Sequence, residues 1–178
     1  MASYLDKSIG VLGGSFDPAH KGHLTISKIA IKKIKLSKVL WIVTKQNPFK
    51  GKAFYSLTQR LAKAKKIAKN TRKIQVIHFE KTIHSSRSID AINYLIYKKR
   101  FKNIYFIIGS DNLIKFHKWK SWKKIVKLTK LIVFSRKGYD RKSKKTIVVK
   151  YLNKNNISFI ENKPIEVSSS LLRKRIKI

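Results

Sequence analysis

Short apolar runs rich in β-branched residues recur along this chain, and the gaps between them mostly leave room for one helix. Ser8–Leu12, Val39–Thr44, Lys73–Phe79, Asn103–Ile108, Lys130–Ser135 and Ile157–Ile160 each read as a buried strand. Leu24, Ile26, Ile29, Ala30, Ile31 and Ile34 recur at helical spacing and predict a helix over Gly22–Leu36. Ser56 is placed to cap a helix running to about Lys69, and Ser88 one running to Lys99. Asp111–Lys127 reads as one or two short helices, Lys142–Asn153 as a weak one and Ser168–Lys177 as a terminal one, while Asn47-Pro48 and Gly51 mark Gln46–Phe54 as a loop. Strand, helix and strand in alternation give parallel pairs with right-handed crossovers. The expectation is therefore an α/β fold with a single doubly wound, Rossmann-like parallel sheet, helices on both faces, and one domain over residues 1–178.

Such a sheet binds ligands outside the carboxyl ends of its strands. That singles out 13–23, 44–52, 80–90, 109–122 and 135–140, and composition narrows what they can do. With no cysteine, the chain has no disulfide, thiol nucleophile or cysteine-based zinc site. No apolar run approaches the roughly 18 residues of a membrane span. The amino-terminal stretch carries Asp6 early and does not read as a signal peptide, so a cytoplasmic location without membrane attachment is expected. The formal charge of +35 attracts polyanions, whether nucleic acid, an anionic membrane or a phosphorylated small molecule. The lysines are spread along the whole chain and form no basic arm, which favours solvated faces over a dedicated nucleic-acid surface. The eight acids (Asp6, Asp17, Glu80, Asp90, Asp111, Asp140, Glu161, Glu166) are so few that each is a candidate for a specific task.

Residues 13–23 read GGSFDPAHKGH. Neither G-x-x-x-x-G-K-[ST] nor G-x-G-x-x-G is present, so the two common phosphate-loop patterns do not apply. Gly13 and Gly14 allow close backbone approach to a ligand, and a helix opening at His20-Lys21-Gly22-His23 offers free N–H groups and a positive dipole end to phosphate. Two histidines three apart at that end can face the same phosphate oxygens. A single histidine would more simply be a structural residue, and a closed zinc site would need ligands the neighbourhood does not supply.

This loop resembles the signature of the HxGH nucleotidylyltransferase superfamily. Residues 109–122 (GSDNLIKFHKWKSW) resemble the G-[AS]-D-x-L-x-x-F-x-x-W-x-x-W segment of its nicotinate-nucleotide adenylyltransferase family, and Val167–Arg173 (VSSSLLR) resembles the family's I-S-S-T-x-[IL]-R motif. The resemblance implies transfer of the adenylyl group of ATP to nicotinate mononucleotide, with release of pyrophosphate. It implies His20, His23 and Arg173 as catalytic residues. ATP would be held by Gly13, Gly14, Ser15, Phe16, the two histidines, Gly109, Asp111, Ser169, Ser170 and Arg173. The mononucleotide would meet Asn47, Lys50, Ser88, Asp111, Trp119 (as a stacking platform) and Arg136, with Trp122 assigned to packing. Arg87 stands where the family usually has an aromatic, and it could pair with the nicotinate carboxylate. Mg2+ is expected to be carried with ATP, with no resident metal site on the protein. A homo-oligomer is left open. The alternatives are another superfamily member, such as a pantetheine-phosphate adenylyltransferase, and a basic nucleic-acid-binding protein. Everything requires the two histidines and the 168–173 turn to converge on one triphosphate.

Overall fold

The computed structural model describes residues 8–46, 51–152, 156–163 and 167–176. Six strands, β1 (Ile9–Gly14), β2 (Lys38–Val43), β3 (Ile74–Ile77), β4 (Ile104–Gly109), β5 (Lys130–Phe134) and β6 (Ile157–Ile160), form one sheet in the order β3-β2-β1-β4-β5-β6. Every neighbouring pair is parallel. This is the doubly wound Rossmann-like order, and the strand order reverses between β1 and β4.

The helices are α1 (Lys21–Ile34), α2 (Leu57–Ala68), α3 (Glu80–Ile83), α4 (Ser88–Asn93), α5 (Ser110–Lys115), α6 (Trp122–Leu128), α7 (Asp140–Ser143), α8 (Ile147–Tyr151) and α9 (Ser169–Ile176). Alternate strand residues face opposite sides and bury two clusters. One gathers Val11, Phe106, Ile108 and Val133 with Ile92 and Leu95 from the α4 region and Ile125 from α6. The other gathers Leu12, Trp41, Ile107 and Phe134 with Ala30 from α1 and Ala64 from α2. A sheet buried on both faces must be apolar at nearly every strand position, which is why β1, β2, β4 and β5 read as continuous hydrophobic runs. No helix among the described residues is long and apolar enough to cross a membrane.

Several boundaries differ from the expectation. Ser88 is the first helical residue rather than the cap: extended Arg87 precedes the helix and makes no side-chain cap bond. The local polar partners are used by Ser85, whose hydroxyl donates to Asp90 and accepts from the Arg87 N–H. The segment expected to run as one helix to Lys99 widens into a π turn over Tyr94–Lys98. Lys142–Asn153 breaks in two, because the Ser143 hydroxyl closes α7 onto the Asp140 carbonyl while Thr146 caps α8. The short α3 falls between the expected third strand and the expected helix at Ser88.

Candidate active site

The carboxyl ends of β1, β2, β4 and β5 open into one cavity of about 550 Å3. The first loop leaves β1 at Gly13-Gly14 and enters α1 through His20. His20 is the helix cap: its Nδ1 accepts from the Gly22 N–H at 3.1 Å. His23 returns the contact, its Nδ1 accepting from the His20 N–H at 3.2 Å. The imidazoles thus perform the reciprocal capping that Ser and Glu perform elsewhere. An Nδ1 that accepts carries no hydrogen, so each ring holds its proton on Nε2. The rings lie 4.0 Å apart between centroids, and both line the cavity. Burial, helped by the charge of Arg136, lowers the His20 pKa from 6.5 to about 4, so this imidazole is neutral at pH 7. It is an uncharged N–H donor held rigidly at a helix amino terminus, suited to a phosphate oxygen.

Across the switch point, Asp111 opens α5 directly after β4, and its Oδ1 is buried without a hydrogen-bond partner. The Arg136 guanidinium lies beside it, with Nε 3.7 Å from that oxygen. A Cβ placed on Gly109 would lie 2.3 Å from Asp111 Oδ1 and 3.4 Å from Arg136 Cγ, so only glycine lets the two side chains meet above the strand end. The Arg136 backbone N–H donates to Ser110 Oγ and to Asp140 Oδ1, each at 3.0 Å. Burial pushes the Asp140 carboxyl up, but hydrogen bonds from Ser135, Ser110 and the Arg136 N–H outweigh it and leave its pKa below the usual value. Trp119 packs its ring 5.0 Å from Phe116 and edge-on at 6.1 Å to Phe106, with another surface on the cavity. Trp122 packs against Tyr151 at 5.2 Å.

The carboxy-terminal turn reaches the same cavity. Ser168, Ser169 and Ser170 line it beside the two histidines. Ser169 Oγ donates to the Pro18 carbonyl at 2.9 Å, a bond across 151 positions of sequence. Arg173 sits differently from expectation. Its guanidinium donates to the Asp17 carbonyl and to Ser170 Oγ, lies 3.6 Å from the Asp17 carboxylate, and does not line the cavity. In this structure Arg173 ties α9 to the first loop.

The structure thus brings together Gly13, Gly14, Ser15, Phe16, His20, His23, Ser88, Gly109, Asp111, Trp119, Arg136, Ser169 and Ser170 around one space. Asn47 and Lys50 lie outside the described residues. Arg87, Lys118 and Lys120 also face the cavity. The two lysines had no signal in a chain with 43 Lys and Arg residues. Asp17, Glu80 and Arg60 hold the loops in place: Asp17 accepts the N–H groups of Phe54 and Tyr55, and Glu80 that of Lys45. The rarity of acids had flagged the first two. Arg60 could have been found as a cation at 60 on the helix stripe completed by Ala64 and Ala68.

Among the described residues, no three His, Asp or Glu side chains gather as a metal-binding group. Of the carboxylates on the cavity, Glu80 holds the Lys45 N–H and Asp111 faces Arg136. The remaining groups are imidazole, hydroxyl, amide and cation, a donor set made for phosphate oxygens.

Residues 11–175 match the family model described as cytidylyltransferase-like, so fold and sequence together define a nucleotidyltransferase of that family. A protein of Pelagibacter ubique (strain HTCC1062) named "Probable nicotinate-nucleotide adenylyltransferase" is 51% identical over 166 residues, 93% of this chain and 92% of that one. One of the same name from Methylorubrum extorquens (strain PA1) is 37% identical over 132 residues, 74% of this chain and 71% of that one. Within the cytidylyltransferase-like family, the chain belongs to the nicotinate-nucleotide adenylyltransferases. The fold is also that of the Plasmodium falciparum nicotinic acid mononucleotide adenylyltransferase solved in complex with NaAD, with a TM-score of 0.75 and 20% identity over 94% of this chain and 83% of that one.

Proposed function

We infer that the protein transfers the adenylyl group of ATP to nicotinate mononucleotide, giving nicotinate adenine dinucleotide and pyrophosphate. An oxygen of the mononucleotide phosphate attacks the α-phosphorus of ATP, and the bond to the oxygen bridging to the β-phosphorus breaks. Such a reaction needs alignment and charge stabilisation more than a protein nucleophile. What supports the reading most is one adjacency: the His20–His23 pair and the 168–170 serines line the same cavity. In this scheme His20 and His23 donate Nε2–H to the transferring phosphate, and the serines add hydroxyl and backbone donors. Asp111 receives a sugar hydroxyl on its carboxylate, and Trp119 offers a ring face to the pyridine. Arg136, Lys118 and Lys120 add positive charge at the rim, and Arg173 acts through the loop it fastens. Mg2+ enters with ATP as part of the substrate and neutralises its polyphosphate. The reaction is placed in the cytoplasm, with small-molecule partners.

Pyrophosphate release measured with ATP and, in turn, nicotinate mononucleotide, nicotinamide mononucleotide and phosphopantetheine tests this. Turnover should be fastest with the first. Turnover confined to phosphopantetheine, or salt-sensitive nucleic-acid binding without pyrophosphate release, would replace the reading. In the same assay Arg87→Ala should narrow the preference for the acid over the amide.

A further inference from the structure

Arg60 is an arginine where the fold calls for an apolar residue. Ser56 and Gln59 form a capping box that starts α2, and Arg60 falls on its buried stripe with Ala64 and Ala68. It is 1% exposed. Four of its five N–H groups go to backbone carbonyls: Nη1 donates to Ser15 and to Thr44, each at 2.6 Å, Nη2 to Lys45 at 2.7 Å, and Nε to Tyr55 at 3.1 Å. These carbonyls belong to the first loop, the exit of β2 and the approach to α2. Two of these residues are also held by acids. Lys45 gives its N–H to Glu80 Oε1 at 2.6 Å, and Tyr55 gives its N–H to Asp17 Oδ1 at 2.9 Å. Two of eight acids in the chain thus hold two of the residues that one buried cation also holds.

A hydrophobic side chain at 60 would pack but would leave four inward-facing carbonyls without donors. A lysine would bring the charge without the planar fork needed to span them. We propose that Arg60 is a positioning residue for adenylyl transfer, its one guanidinium fixing the distance between the loop that faces ATP and the loop ends at 44–45 and 55 on the acceptor side. The inference rests on the adenylyl-transfer reading. Nη1 bridges Ser15 and Thr44 directly, just beyond the Thr44 N–H to Gly14 carbonyl bond at 2.9 Å, so the guanidinium braces the separation of the two loops where the strand pairing ends. Attack on phosphorus in line with the leaving group depends on that separation, whereas each substrate alone also draws on contacts outside these two loops. Loss of Arg60 should therefore act on turnover more than on the affinity for either substrate.

The test measures kcat and both KM values by pyrophosphate release for wild type, Arg60→Lys and Arg60→Ala, with the active fraction counted by binding of a non-hydrolysable ATP analogue. In Arg60→Lys, kcat per folded site should fall by about tenfold or more while each KM stays within about threefold. Methylguanidinium should restore part of the turnover of Arg60→Ala. Glu80→Ala, which frees the Lys45 N–H from the cavity side and leaves the core intact, should lower kcat with a melting temperature close to wild type. Unchanged kcat per folded site in the arginine variants, or wild-type kcat in Glu80→Ala should the arginine variants not fold, would overturn the proposal. So would a loss that only tracks the folded fraction and ignores methylguanidinium. An inactive wild-type enzyme would instead refute the reaction itself.

Discussion

His20 serves the helix and the ligand with opposite edges of one ring. Nδ1 closes the amino terminus of α1, and this is what leaves Nε2 as the protonated edge. Replacing it with alanine removes both services. His20→Ala should lower turnover by roughly 100- to 1000-fold, on the scale of losing one oriented donor to a developing charge. The lost cap should cost only about 1 kcal/mol of stability, so a urea melt read beside the activity separates the two. The same residue makes stability depend on pH. Its pKa is about 4 in the fold against 6.5 ordinarily, so the unfolded chain binds the proton more readily. The contribution is complete above pH 6.5, shrinks as pH falls towards 4, and is gone below that, on the order of 3 kcal/mol in all. Urea midpoints at pH 7.5 and 4.5 should therefore differ more in wild type than in His20→Asn. Gly109→Ala should act on chemistry through Asp111, because the new methyl occupies the carboxylate's position. The expected outcome is at least a tenfold drop in kcat/KM with a melting temperature within a few degrees of wild type.

Among the elements, α9 is tied to the first loop by two of its described side chains. Ser169 reaches the Pro18 carbonyl, and Arg173 reaches the Asp17 carbonyl and carboxylate. Its exposed Leu171 and charged last turn give it little apolar area to bury. Arg173→Ala should loosen the helix from the first loop, lowering stability by about 1–2 kcal/mol as one charge-assisted contact is lost. It should also raise the KM for ATP severalfold by moving the serines that face the cavity. Thermal melts with and without an ATP analogue check both parts: the analogue should stabilise wild type more than the variant. Arg173 was expected at the phosphates because its motif pairs it with the serine run. A helix start presents its serines to the ligand, whereas an arginine one turn on meets whatever the fold has packed there, here Asp17. The arginine in the motif was legible; its partner, 156 residues away in sequence, was not.

At the scale of the whole molecule, a charge of +35 surrounds a cavity rimmed by Arg87, Lys118, Lys120 and Arg136. Such a field draws polyphosphate and is screened by salt, with a Debye length of about 30 Å at 0.01 M falling to about 10 Å at 0.1 M. Raising ionic strength over that range should lower kcat/KM for ATP severalfold while leaving kcat nearly unchanged. The doubly wound parallel sheet was legible, because apolar runs buried on both faces and separated by helices admit few other arrangements, whereas its order β3-β2-β1-β4-β5-β6 is fixed by which strands pair in the fold. The breaks at Tyr94–Lys98 and between α7 and α8 were not legible, since they arise where side chains such as Ser143 and Thr146 divert backbone partners. By itself, then, the sequence determined the parallel sheet and, through its periodicity, the strand ends that open into the cavity, while the resemblance of its motifs to a known family picked out the histidine and serine segments that line it. Only the tertiary structure decided that Asp17 holds Arg173, that Asp111 meets Arg136 over Gly109, and that Arg60 gathers four distant carbonyls. A buried polar group must find its partner wherever the packed chain brings one, and no spacing along the sequence records that distance.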